Sequence, residues 1–443
     1  MKHFFKNIYL NVRFFTSVGL LVLLFILAYM FPGLLIMAKM LFYVFVSLVV
    51  IDFILLFKQK GFTASRILPE KLSNGDDNPI EISLQNSYNF TSAIKLIDEL
   101  PFQYQKRDFE INTSLEKQET KKITYTLRPL KRGEYFFGNL NLYASSPLKF
   151  ISRRFQFGKD AMVPNYPSFL QLKKYMLLAF SNTIFEYGLK KIRRIGHTME
   201  FEQIKNYVQG DDLRNINWKA TAKSSQLMVN QYQDERSQPV YSVIDKGRVM
   251  KMPFEGLSLL DYAINASLVI SNVALKKQDK AGLFSFSRKV ENRVVAERRP
   301  SQMNTILETL YNVNTDFVES DFSRLYIDVK RNLNQRSLLL LYTNFETLDA
   351  LYRQLPYLKA IAKNHLLVVI FFENTELQKL TNKTAINTYE IFEKTIAEKF
   401  IYEKKLIVNE LQKHGIQSIL TAPEHLTINT INKYLEIKAR GLL

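Results

Sequence analysis

The sequence predicts a multi-domain α/β protein: a transmembrane helical hairpin, an all-β immunoglobulin-like sandwich and a doubly wound α/β domain, in that order. Three observations carry this prediction. Two apolar runs of membrane-spanning length lie near the start of the chain. Short alternating stretches separated by turn signals follow them. From residue 238 onward, nearly continuous apolar runs alternate with helical patterns.

The hairpin occupies residues 1–60. Residues 14–31 (FFTSVGLLVLLFILAYMF) carry no charge, Pro32 and Gly33 break the run, and residues 34–57 are again apolar apart from Lys39 and Asp52. A spanning helix needs about 20 apolar residues. No small-residue cleavage site follows the first run, and the second run begins at once, which argues against a signal peptide. Lys2, Lys6 and Arg13 precede the pair; Lys58, Lys60 and Arg66 follow it. Positive flanks mark the cytoplasmic side, so both ends are expected there, in an inner (plasma) membrane protein with a cytoplasmic amino terminus and cytoplasmic soluble domains. Lys39 can snorkel to the outer interface. Asp52 is a functional candidate as an intramembrane carboxylate. The plainer expectation is that it reaches the interface or pairs with Lys58.

Residues 62–164 read as the sandwich. PIEISLQN, KKITYTLRPL and EYFFGNLNLYA are strand-like, and NGDDNP, KRGE and SSP supply the turns. Nothing in this stretch carries obvious chemistry, so a spacer or docking role is expected. Residues 165–235 form a connector. Its KKIRRIGHTMEFEQIK segment is strongly basic, suited either to a solvated loop or to contact with phosphate or an acidic partner.

The α/β domain is expected over residues 236–443. PVYSVID, AGLFSFS, SLLLLYTNF, HLLVVIFF and IQSILTA have the composition of strands buried on both faces of a parallel sheet. Helical patterns separate them, and KVENRVVAERR suits an antiparallel edge strand. Ligands of such sheets bind at the carboxyl ends of the strands. That directs attention to Asp245, at the end of PVYSVID, and to Thr343 and Asn344, at the end of SLLLLYTNF.

Composition narrows the function classes. Of 443 residues, 47% are hydrophobic, enough for sizeable cores, and no cysteine is present, which excludes disulfides and thiolate metal sites. The net charge of +18 admits nucleic acid, anionic membrane lipid or plain solvated surface as explanations. The basic residues are spread along the chain without a dense cluster interleaved with aromatics, so no nucleic-acid partner is expected. No GxxxxGK[ST] loop, no GxGxxG after a strand and no serine nucleophile elbow occurs. Asp211 with Asp212, and Asp234 with Glu235, are adjacent pairs whose side chains do not face each other. A hydrolase built on Asp211, Asp212 and Glu235 would lack a nucleophile or a metal set. The chain is therefore expected not to be an enzyme, and no cofactor or metal is expected.

The densest motif is GDDLRNINWKATAKSSQLMVNQYQDER (residues 210–236), which holds the single tryptophan, Trp218, and leads straight into PVYSVID. Together they resemble the signature of the domain-of-unknown-function 58 family. LRPLKRGEYFFGNLNLYASSPLKF resembles the family's turn and strand ahead of the motif, and AGLFSFS its second domain strand. The resemblance covers essentially the whole chain and implies a membrane hairpin, a β-rich segment and a von Willebrand factor A-like domain. It assigns Gly210, Asp211, Arg214, Trp218, Ala222 and Glu235 to signature positions, with Asp212 beside them. Asn217 stands where the family often has an acid, which weakens a catalytic reading. From the residues themselves, Arg214 is placed to pair with Asp211 or Asp212 and Trp218 to pack against the α/β domain. Both a hydrogen-bonded clasp and a partner-contact site fit this pattern.

A von Willebrand A-like domain, the resemblance further implies, holds Mg²⁺ with an Asp-x-Ser-x-Ser loop plus a Thr and an Asp on other loops, and captures a partner's carboxylate at the open position. Here the loop reads Asp245, Lys246, Gly247, Arg248, Val249, with both serines absent and Asn344 where the later aspartate would serve. Metal binding is therefore expected to be lost, and Lys246 and Arg248 are candidates to grip an acidic partner directly. The resemblance implies a non-enzymatic, membrane-anchored scaffold working with a MoxR-type AAA+ ATPase and other von Willebrand A proteins. The alternative is a Mg²⁺-dependent protein-binding module.

Overall fold

The computed structural model describes residues 7–158, 160–172, 175, 199–209, 211–234, 237–385 and 387–442, with the side chains of 199–202 and 231–234 left aside. The chain divides into two compact units, Met1–Tyr166 and Pro167–Leu443.

Among its described residues the first unit contains β1 (Ile8–Leu10), α1 (Val12–Met30) and α2 (Leu35–Phe57), followed by ten strands. These are β2 (Phe62–Ile67), β3 (Leu72–Ser73), β4 (Asn78–Asn86), β5 (Ser92–Asp98), β6 (Glu110–Leu115), β7 (Thr120–Leu127), β8 (Gly133–Phe137), β9 (Leu140–Ser145), β10 (Ile151–Phe157) and β11 (Ala161–Tyr166). They form three sheets, ordered β1-β10-β9-β5-β6, β2-β4-β7 and β3-β11-β8. Strand β4 shows the period-2 logic plainly: Ile80, Ile82 and Leu84 face the core while Glu81 and Gln85 face out. The sheets close over one core that includes Ile82, Leu84, Leu96 and Leu142 and a second around Leu72, Ile80 and Phe137.

α1 and α2 are long and apolar enough to cross a membrane. Ala28 and Ala38, on either side of the Pro32–Leu34 turn, are buried. Small residues at such a crossing let two helices approach closely.

The base of α2 departs from the sequence expectation. Asp52 does not pair with Lys58. It is fully buried and accepts hydrogen bonds from the backbone N–H groups of Phe150 (3.0 Å) and Ile151 (2.8 Å) and from the Ser146 hydroxyl. The turn between β9 and β10 thus wraps a carboxylate on the helix. Leu56 packs in the sandwich core, and its carbonyl accepts from Tyr88 Oη (2.6 Å) and Arg153 Nη1 (2.7 Å). These donors satisfy a carbonyl of the last helical turn, which has no partner within the helix. β1, ahead of the helices, pairs antiparallel with β10. The sheet therefore recruits residues from both sides of the apolar helices. Arg66, counted above among the flanking charges, is folded inside this unit, where it pairs with Asp98 and lies over the Phe137 ring. Burial raises the Asp98 pKa, against the opposing pull of Tyr125 and Arg66.

The second unit is mixed α/β. A hairpin of β12 (Met199–Asn206) and β13 (Met228–Asp234), with α3 (Trp218–Ser224) in its connection, leads to β14 (Pro239–Asp245). The main sheet then adds β17 (Lys280–Phe286), β18 (Val290–Glu297), β19 (Leu338–Tyr342), β20 (Leu366–Phe372) and β21 (Gln417–Thr421), after a short β15 (Pro253–Phe254) and β16 (Leu257–Ser258) pair. The order is β18-β17-β14-β19-β20-β21; β18 is antiparallel and the rest parallel. Every residue of β14 and β19 is buried, as strands covered on both faces require.

Among the described residues, seven α-helices follow the hairpin: α4 (Leu259–Lys276), α5 (Gln302–Tyr311), α6 (Phe322–Asn332), α7 (Leu348–Ala362), α8 (Thr375–Asn382), α9 (Thr388–Lys413) and α10 (Leu426–Ala439). One core joins α4, α5 and α10 to the sheet; the other joins α6, α7 and α9 to its opposite face. Ser258 and Asp261 form a reciprocal capping box that starts α4. Strand order reverses at β14, so the crevice at the carboxyl ends of β14 and β19 is a topological switch point, where ligands of such sheets bind.

Candidate functional site

Asp245 ends β14 in that crevice, and it is closed over. Oδ1 accepts from the Gly247 N–H (2.7 Å) and the Ser320 hydroxyl, and Oδ2 accepts from Thr343 Oγ1 (2.7 Å). The carboxyl is fully buried. Burial raises its pKa, and the hydrogen bonds from Ser320, Thr343 and Gly247 only partly offset that. Thr343 was singled out by its position after β19; Ser320, from the loop before α6, was not. A Cβ at Gly247 would lie 2.1 Å from Ser320 Oγ. Ser320 therefore fills the space that a side chain at 247 would need, and a distant loop supplies the hydroxyl missing from the local one.

The rim carries the charge. Arg248 is exposed, and Arg353 is 3.9 Å from Glu319, with both side chains largely solvated. These residues line a small depression with Asp245, Ser320 and Thr343, together with Phe322 and Phe345. Lys246 does not join them. It is 1% exposed and donates to Glu291 Oε2 (2.6 Å) and the Asn314 carbonyl (2.9 Å). Its ion pair holds the Glu291 pKa down. The expectation that Lys246 grips a partner is corrected: a buried ammonium must be paired internally, and this one is. Asn344 is likewise committed, its Oδ1 accepting from Lys404 Nζ at 2.6 Å.

Mg²⁺ is the ion that the resemblance implies for this place. The donor set does not fit it. Asp245 is the single buried acid among the residues lining the depression, both its oxygens are already accepting, and the solvated Glu319 shares the rim with two arginines. No group of three or more His, Cys, Asp or Glu side chains suited to a metal occurs among the described residues.

The signature motif forms its own structure. Asp211 pairs with Lys205 (3.1 Å) and accepts from the Val208 N–H (3.0 Å), which together hold its pKa low. Asp212 accepts from the backbone N–H of Arg214 (3.0 Å), capping the Leu213–Asn215 turn. The expected pairing of the Arg214 side chain with either aspartate is replaced by these contacts. Asn217 caps α3 by accepting from Ala220 N–H (3.0 Å) and bonds Asn230 across the hairpin (2.9 Å). That gives the departure from an acid at this position a structural use. Trp218 opens α3 and is 70% exposed, so it does not pack against the sheet as expected. Ala222 lies in α3. Gly210 and Glu235 lie outside the described residues, as does most of the basic segment before the hairpin.

The fold and crevice define a mixed α/β protein with an arginine-rimmed depression over a buried aspartate at the sheet's switch point, and with two apolar helices in a sheet-rich first unit. Residues 203–387 match the family described as "Protein of unknown function DUF58". The chain is 25% identical over 242 residues to "Uncharacterized protein YeaD" of Bacillus subtilis (strain 168), a stretch covering 53% of this chain and 58% of that protein. Solved structures with partial likeness include the conserved hypothetical protein BatB from Bacteroides thetaiotaomicron, with 13% identity, 46% of this chain, 99% of that chain and a TM-score of 0.29. Proximal thread matrix protein 1 from the mussel byssus matches at 8% identity over 45% of this chain and 46% of its own, TM-score 0.27. A CARDB domain from Pyrococcus furiosus matches at 14% identity over 24% of this chain and 86% of its own, TM-score 0.18.

Proposed function

We propose that this chain is a non-enzymatic, membrane-anchored scaffold whose α/β unit is von Willebrand factor A-like and binds an acidic segment of a protein partner. In this reading the partner is an AAA+ ATPase of the MoxR type, acting with other von Willebrand A proteins in assembly or maturation of protein complexes. The ATPase supplies the energy. The chain is held in the inner membrane by α1 and α2, with its soluble parts on the cytoplasmic side. The observation that carries the reading is the closed Asp245 crevice under an exposed Arg248 and Arg353. Two hydroxyls and a backbone N–H satisfy the buried carboxyl, and on the rim the exposed Arg248 and the solvated Arg353, only loosely paired with Glu319, present guanidiniums suited to bidentate pairing with carboxylates.

The test is cross-linking of the full-length protein in its native cells, followed by identification of captured proteins. Arg248→Glu with Arg353→Glu is expected to lower capture of the partner at least tenfold without changing the melting temperature. Lys246→Glu instead is expected to unfold the α/β unit, at a cost of about 3–5 kcal/mol, because it leaves Glu291 facing a like charge. Capture unchanged by the double arginine reversal sinks the crevice as the docking site. The Mg²⁺-dependent alternative draws on the convergence of three oxygen-bearing side chains, Asp245, Ser320 and Thr343. Thermal stabilisation by Mg²⁺ in the wild type but not in Asp245→Ala would favour it.

A further inference from the structure

Beside the crevice, a separate cavity of about 330 Å³ lies between β20, α8 and α9, with Met252, Phe254, Phe372, Leu377, Phe400 and Ile401 among its walls. That volume is in the range of small-molecule sites. Two polar groups line it with hydrogen-bonding capacity unmet, although the Lys404 ammonium also lies over the Phe371 ring at 5.7 Å. Lys404 sits in the buried stripe of α9 with Ala397, Ile407 and Leu411, and is 8% exposed. An ammonium has three donors. One goes to Asn344 Oδ1, and no carboxylate lies within ion-pair distance of Lys404 among the described residues. The second group is Thr375, whose hydroxyl is buried with no hydrogen-bond partner. Thr375 is the first residue of α8, where the helix dipole favours negative charge. Asn374 Oδ1 already accepts from the Glu376 and Leu377 N–H groups, while the Thr375 hydroxyl and the Asn374 amide NH₂ are side-chain donors at this helix terminus.

We propose that this cavity binds a small apolar monocarboxylate, its acid group held by Lys404 and Thr375 and its hydrocarbon lying along Phe254, Leu377 and Phe400. A buried cation with unmet donors is costly unless an anion completes it. The other charged groups that line the cavity are Glu346 and Glu373. Glu346 is exposed, and its field favours the protonated amine; Glu373 accepts from Gln378 Nε2 at 3.1 Å. Two carboxylates in the same lining disfavour a dianion such as a phosphate monoester, which leaves a single negative charge as the fitting head. The volume is that of a small-molecule site, so a medium-chain acid is a fitting probe.

The probe is radiolabelled decanoate, with the full-length protein in lipid nanodiscs and empty nanodiscs as background. Saturable binding to one site per chain is expected. Lys404→Met and Thr375→Val should each weaken it at least tenfold. Decanol and decylamine should compete at least tenfold more poorly than decanoate. Leu377→Trp fills the cavity while leaving Lys404 and Asn344 in place, and should abolish binding with its melting temperature retained; with Thr375→Val it carries the test if Lys404→Met fails to fold. Binding no greater than to empty nanodiscs overturns the proposal. So does binding kept within twofold in the folded variants, or decanol competing as well as decanoate.

Discussion

Asp52 and Lys404 are both charged side chains at positions where the surrounding pattern is apolar, and each is tied into the fold differently. Asp52 is met by three donors from the β9–β10 turn. Removing the carboxylate strands two backbone N–H groups, and a stranded buried donor costs about 1–3 kcal/mol. Asp52→Ala is therefore expected to destabilise the first unit by roughly 2–4 kcal/mol. Thermal unfolding in nanodiscs would show this as a lower midpoint, and an unchanged midpoint would mean that the turn finds other acceptors. Lys404 has one acceptor, and burial lowers its pKa to about 8. The unfolded lysine titrates near 10.4. Between these values the unfolded state binds more protons than the folded one, so folding gains stability as pH rises from 8 to about 10.4. The stability of Lys404→Met relative to wild type should shrink by roughly 2–4 kcal/mol across that window in chemical denaturation. A pH-independent difference would show that the amine is already paired and charged in the folded state.

The element that most changed its meaning is the signature hairpin. Its polar density serves local closure: Asp212 caps a turn, Asn217 caps α3, Asp211 ties Lys205 to the loop, and Thr221 Oγ1 accepts from the Met228 N–H. Trp218 is left outward. As the single tryptophan, it reports on this element alone. Its fluorescence in the free protein is expected at the wavelength of water-exposed indole, readily quenched by acrylamide, and Trp218→Ala should alter stability by no more than about 0.5 kcal/mol. Blue-shifted, protected emission from the isolated protein would contradict this placement. Loss of partner capture in Trp218→Ala, with stability intact, would instead mark the hairpin as a contact surface, a role in which exposed aromatics are frequent.

At the scale of the whole molecule, the apolar helices are built into the sheet-rich unit. β1 precedes them and completes a sheet with β10, while Leu56 fills the core beneath. A chain beginning at residue 61 would lose that strand, that leucine, the Asp52 carboxylate and the acceptors of Tyr88 and Arg153. Burying a leucine contributes about 1.5–3 kcal/mol alone. The shortened protein is expected to melt well below the full-length one and to aggregate through the opened edge of β10. Equal melting of the two would show that the sandwich is autonomous.

Periodicity and composition determined much of this by themselves. Two apolar runs around Pro32-Gly33, the turn-punctuated β segment and the buried-strand runs of the α/β unit are all local patterns, and local patterns survive without knowledge of contacts. The interest of Asp245 and Thr343 was likewise legible, because strand ends in such a sheet are where its side chains converge. Even Lys404 had a trace in the sequence: it interrupts an apolar stripe with Ala397, Ile407 and Leu411 at helical spacing. Tertiary structure alone decided the rest. Ser320 reaches Asp245 from 75 positions away, Lys246 turns inward to Glu291, and Asp52 meets a turn nearly a hundred residues later. Hydrogen-bond partners and burial depend on which segments are brought together in space, and no periodicity along one segment specifies the groups that another will present to it.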